Sequence, residues 1–315
     1  MNDKYVFLYE AIKLVKSKST YFIYDLQYKK MYNIDEVSAY ILTYCKNNSI
    51  NKMLDASKIE RNIFFSSIDK LIKKNIIGYS NHCFNNNNIV NINCSNSITF
   101  NFIKVIELEY NKDLIDWLKY FINLISDNIW IDSILINLNN STKLKLFLNF
   151  LSKKRIGSII INDCANILSK DEIAHFLNTR KASYILVNND CELKNCLKRT
   201  KYPKFFMDFN LFYESLSYNT YYNNRIYIDF KGNIKPGKNI TKDFAHLSSI
   251  IDYKNFKALF DINDFNKYKN IKKEYIFECN KCIYRHMCID DREPIKSGEA
   301  DFYYFDKRCD FVRTF

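Results

Sequence analysis

Short, mainly apolar runs lie near the start of the chain. Two of them, Tyr21–Tyr24 and Met31–Ile34, predict strands joined by a polar turn. Asp35 follows directly and is a residue type that caps helices. Behind it, apolar side chains recur at the spacing of one helix face, at Val37, Tyr40, Ile41 and Tyr44. The pattern therefore predicts two strands followed by an amphipathic helix.

A longer apolar periodicity predicts a second helix from about Ile59 to Lys74, followed by a strand at Ile76–Tyr79. Its repeating apolar positions are Phe64, Phe65, Ile68, Leu71 and Ile72. Strands and helices in this order predict a small winged-helix domain over residues 1–82. Residues 83–97 contain the polar tract Asn85–Asn88 and predict a linker.

The next region, residues 98–210, alternates apolar strands with amphipathic helices. The predicted strands are Thr99–Glu107, Ser133–Leu138, Ser158–Asn162 and Tyr184–Asn188, with Phe205–Phe209 as a further one. The predicted helices are Leu114–Ile125, Leu144–Leu151 and Asp171–Leu177. Such alternation predicts an α/β fold with a parallel sheet covered by helices, either a partial barrel or an open sheet.

Four cysteines near the end of the chain have the spacing of a metal site. Cys279 and Cys282 are separated by two residues, Cys288 follows after five more, and Cys309 after twenty. Four thiolates fit Zn²⁺ or an iron–sulfur cluster equally well. The alternative is that they are buried, unligated thiols, but a Cys-x2-Cys pair with two further cysteines favours a metal.

The cysteine spacing and its flanks resemble a SPASM domain, the auxiliary-cluster module of many radical SAM enzymes. The segment Glu278–Arg292 is most similar to the grasp-with-spasm family of peptide maturases. Upstream, Asn210–Ser215, Asn219-Thr220, Arg225–Asp229 and Gly232–Lys235 resemble that family too. The resemblance implies a SPASM-like domain over residues 211–315 and one [4Fe-4S] cluster, with zinc as the alternative.

Many SPASM domains hold two clusters, and the four cysteines match the ligands of the second. At the positions of the first cluster's ligands this chain has Tyr221, Gly237 and Asp291. The resemblance therefore implies that the first cluster has been lost. His286 lies inside the cysteine motif, where we expect it to pack or face water rather than ligate.

The N-terminal region resembles the precursor-recognition domain of ribosomal-peptide modification systems. The resemblance rests on the run from Tyr24 to Leu42, the helix behind it and the segment Lys73–Gly78. In that family a leader peptide adds a strand to the sheet edge and packs against a helix. This implies a peptide-binding groove formed by Met31, Tyr32, Phe64, Phe65 and Ile68.

Motifs for other chemistry are missing from the sequence. It contains no Cys-x3-Cys-x2-Cys loop, so we expect no S-adenosylmethionine and no radical reaction. It has neither G-x-G-x-x-G nor a P-loop, and no H-E-x-x-H. Glu107 and Asp163 lie near predicted strand ends without an evident catalytic partner.

Composition narrows the choice of partner. The net charge of +12 would suit nucleic acid, but the lysines are dispersed and the residue usage is typical of an AT-rich genome. We therefore expect no nucleic acid, although a basic surface suits an acidic peptide. With no signal peptide or apolar run of membrane-spanning length, the sequence predicts a cytoplasmic protein.

Two functions from different classes follow. In the first, the chain binds a ribosomal precursor peptide and presents it to an ATP-grasp ligase, the partner that the resemblance implies. In the second, it is a peptide-modifying or electron-transfer enzyme that uses the single cluster. A third, weaker hypothesis is a zinc-containing winged-helix protein that binds DNA.

Overall fold

The structure is a computed structural model that describes residues 4–17, 20–45, 48–81, 102–163, 165–179, 181–187, 196–198, 204–205, 207–298 and 302–309. The predicted linker at 83–97 lies outside the described residues.

The strands in the described residues run in chain order as follows: β1 Tyr5–Leu8, β2 Ile12–Ser17, β3 Thr20–Asp25, β4 Lys30–Ile34, β5 Ile77–Ser80, β6 Phe102–Glu109, β7 Trp130–Asn137, β8 Ile156–Asp163, β9 Tyr184–Val187, β10 Cys196–Lys198, β11 Lys204–Phe205, β12 Arg225–Ile228, β13 Asn233–Lys235, β14 Ala245–His246, β15 Cys288–Ile289, β16 Pro294–Lys296 and β17 Tyr303–Phe305.

The α-helices in the same residues are α1 Glu36–Tyr44, α2 Ile50–Ser57, α3 Arg61–Lys73, α4 Ile115–Ser126, α5 Leu144–Leu151, α6 Lys170–Asn178, α7 Phe209–Ser217, α8 Tyr253–Ala258 and α9 Asn263–Asn270. Short 3-10 helices lie at Lys112–Leu114, Leu247–Ser249, Leu259–Asp261 and Lys273–Tyr275.

The chain divides into two compact units. The first, called here the N-terminal unit, comprises Met1–Ser97, Phe205–Ser217 and Lys273–Cys288. The second, the sheet unit, comprises Ile98–Lys204, Tyr218–Lys272 and Ile289–Phe315. These units do not follow the predicted boundaries, because three of the four motif cysteines group with the N-terminal strands. The division of the chain into three domains therefore stays a prediction.

The N-terminal unit is built around an antiparallel sheet with the order β2-β3-β4. In this sheet Tyr24 of β3 lies opposite Lys13 of β2 and Met31 of β4. Helix α1 begins where the sequence predicts, since the Asp35 carboxylate accepts a hydrogen bond from the Ser38 N–H at 2.7 Å. Helix α3 agrees with the second predicted helix to within two residues at its N-terminal end.

The sheet unit contains an eight-stranded sheet with the order β10-β9-β8-β7-β6-β12-β13-β14. Strands β10, β9, β8, β7, β6 and β12 are neighbours in this order and run parallel to one another. Strands β13 and β14 follow β12 and pair in antiparallel fashion. The mixed α/β class is therefore confirmed. Within the described residues the sheet is not closed, with β10 and β14 at its two ends, and this strand order agrees with both predicted forms, the partial barrel and the open sheet.

One predicted strand is wrong. The apolar run Phe205–Phe209 was expected to extend the parallel sheet, but β11 stops at Phe205 and takes no part in that sheet. The cause is Asp208, whose carboxylate accepts hydrogen bonds from the N–H groups of Asn210 at 2.9 Å and Leu211 at 3.2 Å. This cap starts helix α7 where the sequence pattern suggested a strand.

The core of the sheet unit lies on one face of the parallel strands, where apolar side chains pack against helices. Residues between them, such as Val105 and Ser133, are only partly buried. Ile106 of β6, Ile134 and Ile136 of β7, and Phe121 of α4 have no exposed surface. Helix α5 contributes Phe147 and Leu148 to the same cluster.

Helix α5 offers a matched test of this packing. Leu148 is fully buried, whereas Leu146 is 60% exposed on the same helix. Leu148→Ala should lower the free energy of unfolding by about 2–5 kcal/mol because it leaves a cavity. Leu146→Ala should change it by about 0.5 kcal/mol or less. Denaturant unfolding measures both, and equal effects would contradict the packing described here.

Candidate functional site

The first cysteine pair lies on a tight turn in the N-terminal unit. The N–H of Cys279 donates to the carbonyl of Ile276 at 2.9 Å, and the N–H of Cys282 donates to the carbonyl of Cys279 at 3.0 Å. The Tyr284 N–H points at the Cys282 sulfur at 3.4 Å. Cys279 and Cys288 are buried, and Cys282 and Cys309 are partly exposed.

Hydrogen bonds fasten this turn to strand β2. The Ser17 hydroxyl donates to the carbonyl of Lys281. The Arg285 guanidinium donates to the carbonyls of Lys16 at 3.2 Å and Cys282 at 3.3 Å. One arginine therefore joins the cysteine turn to the N-terminal sheet.

His286 is buried beside the turn, and both of its ring nitrogens are engaged. Nε2 accepts from the Arg285 guanidinium at 3.1 Å, and Nδ1 lies 2.9 Å from the Ser215 hydroxyl. Ser215 uses its own proton on the carbonyl of Phe212 at 2.6 Å, so Nδ1 carries the proton of a neutral imidazole. His286 thus packs, which is one of the two roles expected for it.

Tyr24 is the residue that sequence reasoning missed. Its side chain has no exposed surface, and its ring contacts Phe212 and His286 edge-on, with centroids 6.1 and 6.5 Å away. Its hydroxyl makes no hydrogen bond to any residue that the structure describes. Burial raises the pKa of Tyr24, Arg285 lowers it, and Cys282 and Cys288 raise it further. The phenol therefore packs against His286, which lies within the cysteine motif.

These residues fit a sulfur-ligated metal centre in their chemistry. All four side chains are thiols, which are donors that such centres use, and the Tyr284 N–H points at the Cys282 sulfur. Within the described ranges, however, no three His, Cys, Asp or Glu side chains come close enough together to hold a metal ion. The four-cysteine ligand set therefore stays a prediction.

The three positions that the resemblance assigns to a lost first cluster, Tyr221, Gly237 and Asp291, lie near one another in the sheet unit. A Cβ on Gly237 would lie 2.4 Å from the ring of Tyr222 and 3.0 Å from the ring of Tyr221. The Tyr222 hydroxyl donates to the carbonyl of Asp291 at 3.1 Å. Burial raises the pKa of Tyr222, which keeps this phenol a donor. Two tyrosine rings therefore occupy the space where cluster ligands are expected by resemblance.

A buried polar network lies at the carboxyl ends of neighbouring parallel strands. Glu107 accepts from Arg225 at 2.8 Å and Tyr221 at 3.3 Å through one oxygen, and from Asn137 at 3.1 Å through the other. This edge is where parallel sheets commonly bind ligands. Here both carboxylate oxygens are already bound, so Glu107 is held as an ion pair and is not presented as a free base.

Glu109 is bound in the same way. It accepts from Tyr227 at 3.0 Å and from Lys238 at 3.1 Å. Burial, followed by the Glu109 charge, raises the pKa of Tyr227, which stays a neutral donor. Asp163, the other predicted carboxylate, accepts from the N–H groups of Ile167 at 2.7 Å and Leu168 at 2.9 Å. Its role is to hold the loop that follows β8.

The predicted peptide groove is only partly at the surface. Phe64 and Ile68 have no exposed surface, which corrects their assignment, because they pack in the core of the N-terminal unit. Met31, Tyr32 and Phe65 are partly buried, and for these three the assignment stays a prediction. Cations flank two of the rings, with Lys74 5.5 Å from the Tyr32 centroid and Arg61 5.7 Å from the Phe65 centroid.

A cavity of about 530 Å³ lies elsewhere in the same unit. Strands β1 and β2, helix α1 and helix α7 line it, with side chains that include Val6, Ile12, Leu42, Phe212 and Tyr213. None of the predicted groove residues is among its lining residues. No sequence pattern predicts this cavity, because its walls come from segments that are distant in the chain.

No helix among the described residues has the length and apolar character needed to cross a membrane.

Comparisons with known proteins give a limited result. No family model matches the chain, and no curated protein matches it. Among solved structures it is similar to Streptococcus suis SuiB bound to S-adenosylmethionine, with 11% identity and a TM-score of 0.33 over 89% of this chain and 94% of the other.

Two further SuiB structures are similar to about the same degree. SuiB itself has 12% identity and a TM-score of 0.32 over 96% of this chain and 99% of the other. SuiB bound to precursor peptide SuiA has 13% identity and a TM-score of 0.30 over 97% and 100%. At these values the similarity by itself carries no argument about this chain.

The buried ion pair is open to a direct test. Glu107→Gln removes the charge that faces Arg225, so a buried guanidinium loses its partner. The free energy of unfolding should fall by about 3–5 kcal/mol, as for other broken buried pairs. The control is Asp264→Asn in the exposed pair with Lys242, which should have little effect. Equal effects in denaturant unfolding would show that Glu107 is not tied into a buried network.

Proposed function

We propose that this protein is a maturation partner for a ribosomally synthesised peptide. It binds the precursor through the N-terminal unit and presents it to an ATP-grasp ligase. It carries one four-cysteine metal centre, a [4Fe-4S] cluster by family resemblance, formed by Cys279, Cys282, Cys288 and Cys309. The ligase and the cluster are inferred from the sequence resemblance alone.

One structural observation carries the proposal. Three motif cysteines and the strand and helix expected to bind the precursor belong to one compact unit. Arg285 and Ser17 join the cysteine turn to strand β2 of the sheet whose other end strand is β4. A metal centre at this turn would thus stabilise the same unit that binds the peptide.

Peptide binding would use the outer edge of β4. Among the described residues β4 pairs with β3 alone, so its other edge has backbone groups available for an added strand. Tyr32 of β4 and Phe65 of α3 are partly buried and pack against the same apolar core. Lys74 and Arg61 lie over their rings and would favour an acidic peptide.

The metal centre would have a structural role. When bound by four thiolates, such a group has no open coordination position for substrate and supplies cross-linking rather than Lewis-acid catalysis. The polar groups at the carboxyl ends of the parallel strands pair with one another, as Glu107 does with Arg225. This pairing favours a binding platform over an active site in the sheet unit.

Metal analysis tests the centre. Anaerobically purified protein should show broad brown absorption and about four irons and four sulfides per chain. Cys282→Ser should lose most of this metal, whereas Cys45→Ala, which changes a buried cysteine outside the motif, should keep it. One zinc per chain and no visible absorption would make the centre a structural zinc site and would exclude a function in electron transfer. Full metal retention by Cys282→Ser would show that Cys282 is not a ligand.

Precursor binding tests the groove. Phe65→Asp places a charge on apolar contact surface and should weaken binding of the precursor peptide by at least about tenfold, or about 1.4 kcal/mol. Ile63→Asp is the matched control, since Ile63 is 50% exposed on the same helix. Thermal unfolding checks that both variants fold. Unchanged affinity of a folded Phe65→Asp protein would remove Phe65 from the groove.

A further inference from the structure

We infer that the cavity of about 530 Å³ in the N-terminal unit is a second peptide-binding site, separate from the groove predicted beside β4. It takes an extended peptide segment that carries a large apolar side chain next to a carboxylate. The inference rests on the proposed function, in which the chain binds a precursor peptide. It adds a site at β2, the opposite edge of the same three-stranded sheet.

The first argument is the size and lining of the cavity. Its volume lies within the range of about 300–1,000 Å³ that is typical of ligand sites. Val6, Ile12, Leu42 and Phe212 line it, and each of these side chains is at most 7% exposed. Walls of this kind favour a ligand group that is itself apolar.

The second argument is the direction of the backbone groups of β2. In an antiparallel pair, successive residues of a strand alternately bond to the partner strand and point away from it. Ala11 bonds to the chain of β3, since its carbonyl accepts from the N–H of Leu26 at 3.0 Å. The backbone groups of residues 12, 14 and 16 therefore point to the outer edge of the sheet.

The protein itself occupies both ends of this outer edge. The Ile12 N–H donates to the carbonyl of Tyr9 at 2.9 Å, and the Lys16 carbonyl accepts from Arg285 at 3.2 Å. Leu14 lies between them and lines the cavity, and no described group bonds to its outward N–H and C=O. One residue of an extended peptide can bond to both of these groups, as in β-augmentation.

The third argument is charge. The Lys13 side chain lines the cavity, and its Nζ lies 5.1 Å from the centroid of the Tyr213 ring. Lys13 forms no ion pair with any carboxylate that the structure describes. Glu10 also lines the cavity, but it is exposed to solvent, which screens its charge. A peptide carboxylate therefore suits the Lys13 side of the cavity.

The geometry of the strand also limits the order of the peptide residues. Neighbouring residues of a strand face opposite sides, so Lys13 faces away from Ile12 and Leu14. An added peptide strand follows the same alternation. Its apolar side chain and its carboxylate therefore belong to neighbouring residues, one directed to Ile12 and the other to Lys13.

A blocked tetrapeptide tests the site. The probe is acetyl-Ser-Phe-Glu-Ser-amide, and saturation-transfer NMR on the full-length protein measures its binding. We expect a dissociation constant of about 1 mM or lower, the range of a small ligand. The isomer acetyl-Phe-Ser-Glu-Ser-amide places the ring and the carboxylate on the same side of the strand and should bind more weakly.

Lys13→Met tests the contribution of the charge, because it removes the ammonium and keeps the length of the side chain. It should weaken binding of the probe by about three- to tenfold. Binding of the same peptide with Gln in place of Glu should not change. Lys16→Met is the matched control, since Lys16 lies on the same strand over the Tyr21 ring and is not among the residues that line the cavity.

Thr43→Trp tests the cavity itself. Thr43 is exposed on α1 and lines the cavity, so an indole there should fill part of it and weaken binding by at least about tenfold. Tyr44→Trp is the control, since Tyr44 is the next residue of the helix, is 49% exposed and is not a lining residue. Thermal unfolding checks that every variant folds.

The outcomes separate this inference from the proposed function. Binding that is lost in Phe65→Asp but unchanged in Lys13→Met and Thr43→Trp would place the probe beside β4, which overturns the cavity site and leaves the proposed function standing. Equally tight binding of 3-phenylpropionate would make the cavity a site for small carboxylates and overturn its assignment to a peptide. No binding of the probe to the wild type would overturn the cavity site, while precursor binding still tests the proposed function.

Discussion

The attachment of the cysteine turn to strand β2 is the interaction on which the rest of the N-terminal unit depends. Arg285 donates to Lys16 on the strand, to Cys282 on the turn and to His286 beside it. A guanidinium can do this because its donors are fixed in one plane and remain charged at any physiological pH. A lysine at this position could not serve three acceptors in the same geometry.

Two kinds of buried polar group distinguish the two units. In the sheet unit, Glu107 and Glu109 face cations, phenols and an amide, so their charges are compensated where they lie. In the N-terminal unit, Tyr24 is buried and its hydroxyl has no hydrogen-bond partner among the described residues. The first arrangement neutralises charge at the ends of the parallel strands. The second leaves a buried hydroxyl on a ring that packs against Phe212 and His286.

Much of the local structure could be predicted from the sequence, and the long-range arrangement could not. The Asp35 cap, the amphipathic helices and the apolar strands follow from side-chain periodicity, which acts over a few residues. The apolar run Phe205–Phe209 was wrongly predicted to be a strand, because the helix cap at Asp208 starts a helix within the run. Phe64 and Ile68 were assigned to a groove since periodicity shows which face of a helix is apolar but not whether a core covers it. The cysteine motif was visible, yet Tyr24 gave no signal because one tyrosine in an apolar strand is common.

The hydrogen bond between Ser17 and Lys281 joins residues 264 positions apart. A ribosome adding about 5–20 residues per second makes the second partner on the order of tens of seconds after the first. During that interval Val15, Tyr24 and Leu26 lack the neighbours Phe212 and Met287, which pack against them in the finished protein. The nascent N-terminal sheet thus exposes this apolar face throughout most of translation, until the later segments are made.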